Sequence, residues 1–125
     1  MAAGYLIDTN VLIDAQMNRL PPKGSQFLAE IIDEDFTVSF VTYIEFLGYK
    51  SVSKTTEEFM ALASVIEIDK DIIDTCIALR KSKSIKLPDA IIASTAISRG
   101  RSLITRNVGD FKKISGLEVV NLYEL

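Results

Sequence analysis

The chain contains no histidine and a single cysteine among its 125 residues. The missing histidine removes the usual general base of serine and cysteine hydrolases, the paired-histidine nucleases and most zinc enzymes. A lone Cys76 closes no internal disulfide and anchors no structural zinc by itself, so it reads as a small buried hydrophobe. Any catalysis must therefore run on carboxylates, hydroxyls, amides and cations. No apolar run approaches the roughly 20 residues that cross a bilayer, and the N-terminus lacks the basic start and long apolar stretch of a signal peptide. A cytoplasmic protein with no membrane attachment is expected. Internal repeats, low-complexity tracts and linkers are also missing, which leaves isolated breaks such as Leu20-Pro21-Pro22, Gly48, Pro88 and Gly100. With a hydrophobic fraction of 48% and a charged fraction of 25%, the chain has a globular composition. One domain spanning 1–125 is expected.

The formal charge of -3 conceals a strong asymmetry. Residues 1–75 carry 5 basic and 13 acidic side chains, whereas residues 76–113 carry 9 basic and only 2 acidic ones. The basic members are Arg80, Lys81, Lys83, Lys86, Arg99, Arg101, Arg106, Lys112 and Lys113. Such a segment either faces a phosphate-bearing partner or is simply a solvated basic face.

Tyr5-Leu6-Ile7 predicts a short strand ending at Asp8, with Thr9-Asn10 supplying capping chemistry for a helix through Val11, Leu12 and Ile13. Phe27, Leu28, Ile31 and Ile32 predict an amphipathic helix over 23–34. Phe36 to Val41 is β-rich, and Thr42 then reads as the N-cap of a helix holding Ile44 to Leu47, with Glu45 completing a capping box. Thr55 to Ala63 predicts a helix, and Val65, Ile66 and Ile68 a strand. A further helix starts at Asp69 or Asp71, carries Ile72, Ile73, Cys76, Ile77 and Leu79, and ends near Lys83. Pro88 opens a helix through Ile97 that is apolar nearly all round. Ser102 to Thr105 is another strand, Val108 to Lys112 a helical turn, and Leu117 to Leu122 a closing strand. Alternating strands and helices imply an α/β sandwich whose mainly parallel sheet is flanked by helices. Ligands in such sheets collect beyond the carboxyl ends of the strands, where Asp8 and Thr105 fall.

Four carboxylates stand in unusual contexts. Asp8 ends an apolar strand, Glu45 lies between Ile44 and Phe46, Asp89 opens the most apolar helix, and Asp110 precedes Phe111. Singly, each has an ordinary explanation as a helix cap, a dipole partner or a solvated turn residue. Their contexts occur in one order: Leu6-Ile7-Asp8-Thr9-Asn10-Val11-Leu12-Ile13, Val41-Thr42-Tyr43-Ile44-Glu45-Phe46, Leu87-Pro88-Asp89-Ala90-Ile91-Ile92-Ala93 and Leu103-Ile104-Thr105-Arg106-Asn107-Val108-Gly109-Asp110-Phe111. This order resembles the PIN-domain ribonucleases, particularly the VapC-type toxins of bacterial toxin-antitoxin systems, from residue 5 to about 111.

The resemblance implies a three-layer PIN-like sandwich. It also implies a site in which Asp8, Glu45, Asp89 and Asp110 are the acidic residues and Thr9, Asn10, Thr105 and Asn107 the supporting polar ones. Oxygen donors without histidine or thiolate clusters suit Mg²⁺ or Mn²⁺ better than Zn²⁺, and such ions activate water and stabilise phosphoryl charge. On this reading Asp8 and Asp89 touch the metal, and Glu45 and Asp110 touch it directly or through water. Thr9 and Asn10 orient these groups or cap the first helix, and Arg106 contacts phosphate or is a surface arginine. The implied activity is endoribonuclease cleavage of RNA. The implied partners are an antitoxin that lays an amphipathic helix over an apolar groove and a second copy of the chain, with Phe46, Leu47, Tyr49 and Phe59 as candidate contacts. The same residues also admit a housekeeping RNA-processing nuclease or an inactive binding module on this fold. A haloacid-dehalogenase-type phosphatase requires a second aspartate where Asn10 stands. A response regulator requires an early acidic pair that the chain lacks.

Overall fold

In the computed structural model, which describes residues 4–125, neighbouring residues on the central strands are buried on opposite sides of parallel sheets. Strand β1 (Tyr5–Ile7) pairs in parallel with β4 (Ser102–Ile104), which pairs with β5 (Val119–Val120). Strands β2 (Thr37–Ser39) and β3 (Ser64–Ile66) form a second parallel pair, and β2 contacts β1. Leu6 and Leu103 join one apolar cluster while Ile7 and Ile104 join the other, as the two-residue period of a strand requires. All four are fully buried. A sheet covered on both faces has no polar side, which is why Leu6-Ile7 and Leu103-Ile104 read as apolar runs.

The Ile7 side is covered by α1 (Thr9–Gln16), α2 (Pro22–Asp35), α3 (Phe40–Leu47) and α4 (Lys54–Met60). The Leu6 side is covered by α5 (Lys70–Ser82), α6 (Leu87–Arg99) and α7 (Val108–Phe111), and a 3₁₀ turn (Leu122–Glu124) ends the chain. The result is the expected helix–sheet–helix sandwich. Each large side chain in these clusters contributes roughly 1.5–3 kcal/mol on burial. Cys76 lies in the second cluster at 8% exposure, as its reading as a hydrophobe requires. Local signals set the helix ends. Asp69 accepts from the Ile72 N–H at 2.9 Å, Ser53 accepts from the Thr56 N–H at 3.1 Å, and Gly100 closes α6 at φ 64°, a left-handed conformation that glycine adopts without steric cost.

Several expectations need correction. The strand from Phe36 stops at Ser39, because the Ser39 hydroxyl accepts from the Thr42 N–H at 3.1 Å and starts α3 there. This cap overrides the β preference of Phe40-Val41, makes Thr42 a first-turn residue, and leaves Glu45 outside any capping box. In α1 the cap is Asp8, whose side chain accepts from the Thr9 N–H, not Thr9 or Asn10. The closing strand shrinks to Val119–Val120, since Asn121 caps the 3₁₀ turn by accepting from the Tyr123 N–H. Phe46, at 1% exposure, belongs to the core and is not available to a second copy. Among the described residues no helix is long and apolar enough to cross a membrane.

Candidate active site

Asp8 is positioned by two elements at once. Its backbone N–H extends the β1–β4 ladder to the Ile104 carbonyl at 2.9 Å, and its side chain begins α1. Asp8 is 5% exposed, and both of its carboxylate oxygens accept hydrogen bonds. Oδ1 accepts from the Thr9 N–H at 2.8 Å, while Oδ2 accepts from the Thr105 hydroxyl at 2.8 Å and Asn10 Nδ2 at 3.3 Å. Burial nevertheless holds its pKa above the usual carboxylate value, and the Asp89 and Glu45 charges push it the same way against the hydrogen bonds from Thr105 and Thr9.

Glu45 reaches the same cleft from α3. Its Oε1 accepts from the Thr9 hydroxyl at 2.6 Å, and that hydroxyl lies 3.1 Å from the hydroxyl of buried Thr42. Asp89 enters from the first turn of α6, where Pro88 needs no N–H partner. Its pKa is also raised, first by burial and then by Glu45, with Asp110 adding to the shift and Lys86 opposing it. Asp110 sits in α7 and accepts from Asn107 Nδ2 at 3.0 Å.

All of these acidic side chains but Asp110 share one depression, and the buried Thr42 and Thr105 do not line it. Asp8, Thr9, Asn10, Glu45, Asp89 and Asn107 line a cleft of about 320 Å³, with Ile13 and Tyr49 at its wall. Asp89 and Asn107 also line an adjoining groove of about 710 Å³, where Asp110 lies. Thr105, fully buried beneath the cleft, takes part only through Asp8, Asn10 and the Asn107 N–H. Glu45 is turned to Thr9 and Asp110 to Asn107, and among the described residues no three acidic side chains form a ready-made metal cluster.

The groove also sorts the basic segment. Arg99, Arg101 and Arg106 pair with Asp69, Asp35 and Asp14. Arg80, Lys83, Lys86 and Lys113 line the groove without a carboxylate partner among the described residues. Sequence reasoning leaves Arg106 as a phosphate contact or a surface residue, and in the structure its guanidinium is committed to Asp14. Sequence reasoning also missed Thr42 and Asp14. Only the apolar neighbours of Asp14 on a helix hinted that it is buried.

The PIN domain family matches residues 5–117. The chain is 27% identical to ribonuclease VapC1 of Rickettsia felis, over 95% of this chain and 96% of that one. It is 34% identical to a chain of a toxin-antitoxin complex from Klebsiella pneumoniae, with a TM-score of 0.79 over 98% of this chain and 100% of the other. A structure of VapBC-1 from nontypeable Haemophilus influenzae matches at 25% identity and a TM-score of 0.77, covering 94% and 97% of the two chains. The chain belongs to the PIN-domain family. The family's dependence on a divalent cation fits the donor set here. Every candidate ligand is an oxygen, which suits a hard cation, and two of the carboxylates carry raised pKa values that nearby positive charge would relieve.

Proposed function

We propose that this chain, as a single domain over 1–125, is a metal-dependent endoribonuclease and the toxin of a toxin-antitoxin pair. The observation that carries the reading is the meeting of Asp8, Glu45 and Asp89 in one cleft that continues into a groove bearing Asp110 and four cations. Acidic residues alone would repel a polyanion. Acidic residues beside a strip of Arg80, Lys83, Lys86 and Lys113 suit a phosphodiester backbone that is held on one flank and cut at the other.

Asp8, Glu45, Asp89 and Asp110 are the residues we assign to a Mg²⁺ or Mn²⁺ site, with Asp8 and Asp89 as direct ligands. Such an ion activates water and offsets the charge that builds on the phosphoryl oxygens. Thr105 and Asn10 orient Asp8, Thr9 holds Glu45, and Asn107 holds Asp110. A ligand carboxylate anchored in this way loses less freedom when a cation binds. The basic strip holds phosphates and keeps the strand in register.

The antitoxin reading is supported by an apolar groove of about 320 Å³ between α1, α2 and α4, lined by Ala15, Gln16, Ile32, Thr55 and Phe59. An amphipathic helix fits such a lining. Pairing of two copies is supported by a separate exposed apolar face of Ile68, Ile73, Ile77 and Leu87. A cytoplasmic location completes the proposal.

The direct test is incubation of purified protein with a mixed RNA pool and Mn²⁺ or Mg²⁺, beside EDTA and Asp8→Asn controls. Cutting that both controls abolish establishes the nuclease. Mn²⁺ binding without cleavage of any RNA class argues for the inactive binding module, and absence of Mn²⁺ binding removes the four-carboxylate site.

A further inference from the structure

One buried carboxylate lies outside the cleft. Asp14, near the end of α1, is 2% exposed. Both of its oxygens accept from Arg106 Nη1 at 3.1 Å, and Oδ2 also accepts from the Tyr123 hydroxyl. Pairing with a guanidinium and a phenol offsets the cost of burying this carboxylate. Burial, the hydrogen bond to Asp14 and its charge push the Tyr123 pKa up to about 12, so the phenol remains a donor at neutral pH.

Arg106 grips α1 at a second point, for its backbone N–H donates to Asn10 Oδ1 at 3.1 Å. Asn10 and Asp14 are four residues apart, hence neighbours on one face of the helix. The connection runs directly to the cleft. Asn10 Nδ2 donates to Asp8 Oδ2 at 3.3 Å, and Thr105, the residue before Arg106, donates to the same oxygen at 2.8 Å. Tyr123 lies in the C-terminal 3₁₀ turn, past residue 117 where the family match ends. That turn is seated tightly. Leu122 is 1% exposed, and a Cβ on Gly24 would lie 2.3 Å from the Leu122 carbonyl oxygen.

We propose that Asp14 is a positioning residue: through Arg106 and Tyr123 it locks the Thr105–Asn107 segment and the C-terminal turn against α1, and so fixes the Asp8 carboxylate for a divalent cation. The proposal rests on the assignment of Asp8 as a cation ligand. It makes the last residues of the chain part of the site's support, although none of them lines the cleft.

The test is calorimetric titration of Mn²⁺ into wild-type, Asp14→Asn and Tyr123→Phe proteins, with amide hydrogen exchange at Arg106 in the metal-free state. Asp14→Asn is expected to weaken Mn²⁺ binding by about tenfold and to speed exchange of the Arg106 N–H. The Mn²⁺ concentration for half-maximal cleavage rises while kcat at saturating Mn²⁺ is retained. Tyr123→Phe leaves the Asp14 charge in place and shifts the same readings in the same direction by a smaller factor. Unchanged affinity and exchange in a folded Asp14→Asn protein overturn the proposal. A loss of affinity confined to Asp14→Asn, with Arg106 exchange unchanged, also overturns it, because the cause is then long-range charge. Should Asp14→Asn fail to fold by circular dichroism, Tyr123→Phe decides alone. A wild-type protein that binds no Mn²⁺ overturns the cation assignment itself and the proposal with it.

Discussion

The Thr105 hydroxyl donates to Asp8 Oδ2 across 2.8 Å, joining the ends of β1 and β4 from positions 97 residues apart. The same oxygen of Thr105 accepts from the Asn107 N–H at 3.0 Å. Thr105→Val keeps the shape of the side chain but removes both bonds and the longer one from Asn10 Nδ2 at 3.5 Å. Mn²⁺ affinity is expected to fall about tenfold, and the unpaired Asn107 N–H to cost about 1–3 kcal/mol of stability. Calorimetry and urea unfolding measure the two losses separately, and unchanged affinity would show that Thr105 serves the fold alone.

The raised pKa of Asp8 has a definite sign in stability. A carboxyl whose folded pKa lies above its unfolded value contributes stability that is present below the unfolded value of 3.8 and lost as pH rises through the folded one. Raising the pH of the metal-free protein therefore erodes that contribution. Asp8→Asn is expected to raise the melting temperature of the metal-free protein at pH 7, and the advantage should shrink as pH approaches 4. The same variant loses cleavage by more than about 100-fold, since a ligand matters more than its supporting partners. Melting curves from pH 4 to 8 check the sign, and an advantage that grows on acidification would contradict it.

Lys83 and Lys113 line the groove beside Asp89 and Asp110. In an Asp8→Asn background that cannot cleave, Lys83→Ala with Lys113→Ala is expected to weaken binding of single-stranded RNA. The slope of log affinity against log salt should fall by about 0.7 for each phosphate that is no longer neutralised. Mn²⁺ affinity, measured in the wild-type background, stays unchanged. Filter binding from low to high salt decides the matter, and an unaltered slope would return these lysines to the solvated face.

Gly24 is the one glycine among the described residues whose side-chain direction is closed by distant backbone, since a Cβ there would sit 2.3 Å from the Leu122 oxygen. Gly24→Ala must displace the C-terminal turn, at a cost of about 1–3 kcal/mol for overpacking. Urea unfolding reads the loss, and a variant as stable as wild type would mean that the turn moves freely.

Much of the fold is legible in the order of apolar runs. Tyr5–Ile7 and Ser102–Ile104 are readable as buried strands because sheets covered on both faces leave no polar residue in their middle. Asp8, Glu45, Asp89 and Asp110 stand out in the sequence only as a set, since each carboxylate alone has an ordinary explanation and it is the order of their apolar contexts that links them. Element ends are less legible. The start of α3 at Ser39 turns on a single hydroxyl bonding one N–H, and the β preference of Phe40-Val41 points the other way.

The sequence by itself determined the alternation of strands and helices, the absence of histidine chemistry, and the carboxylates available to a cation. Those properties depend on residue type and short-range spacing. Only the tertiary structure decided which basic residues are spent on ion pairs and which are left facing the groove. Only it brought Tyr123 and Arg106 onto Asp14 and Thr105 onto Asp8. Such contacts join residues far apart in the chain, and they exist only once apolar burial has closed the layers around them.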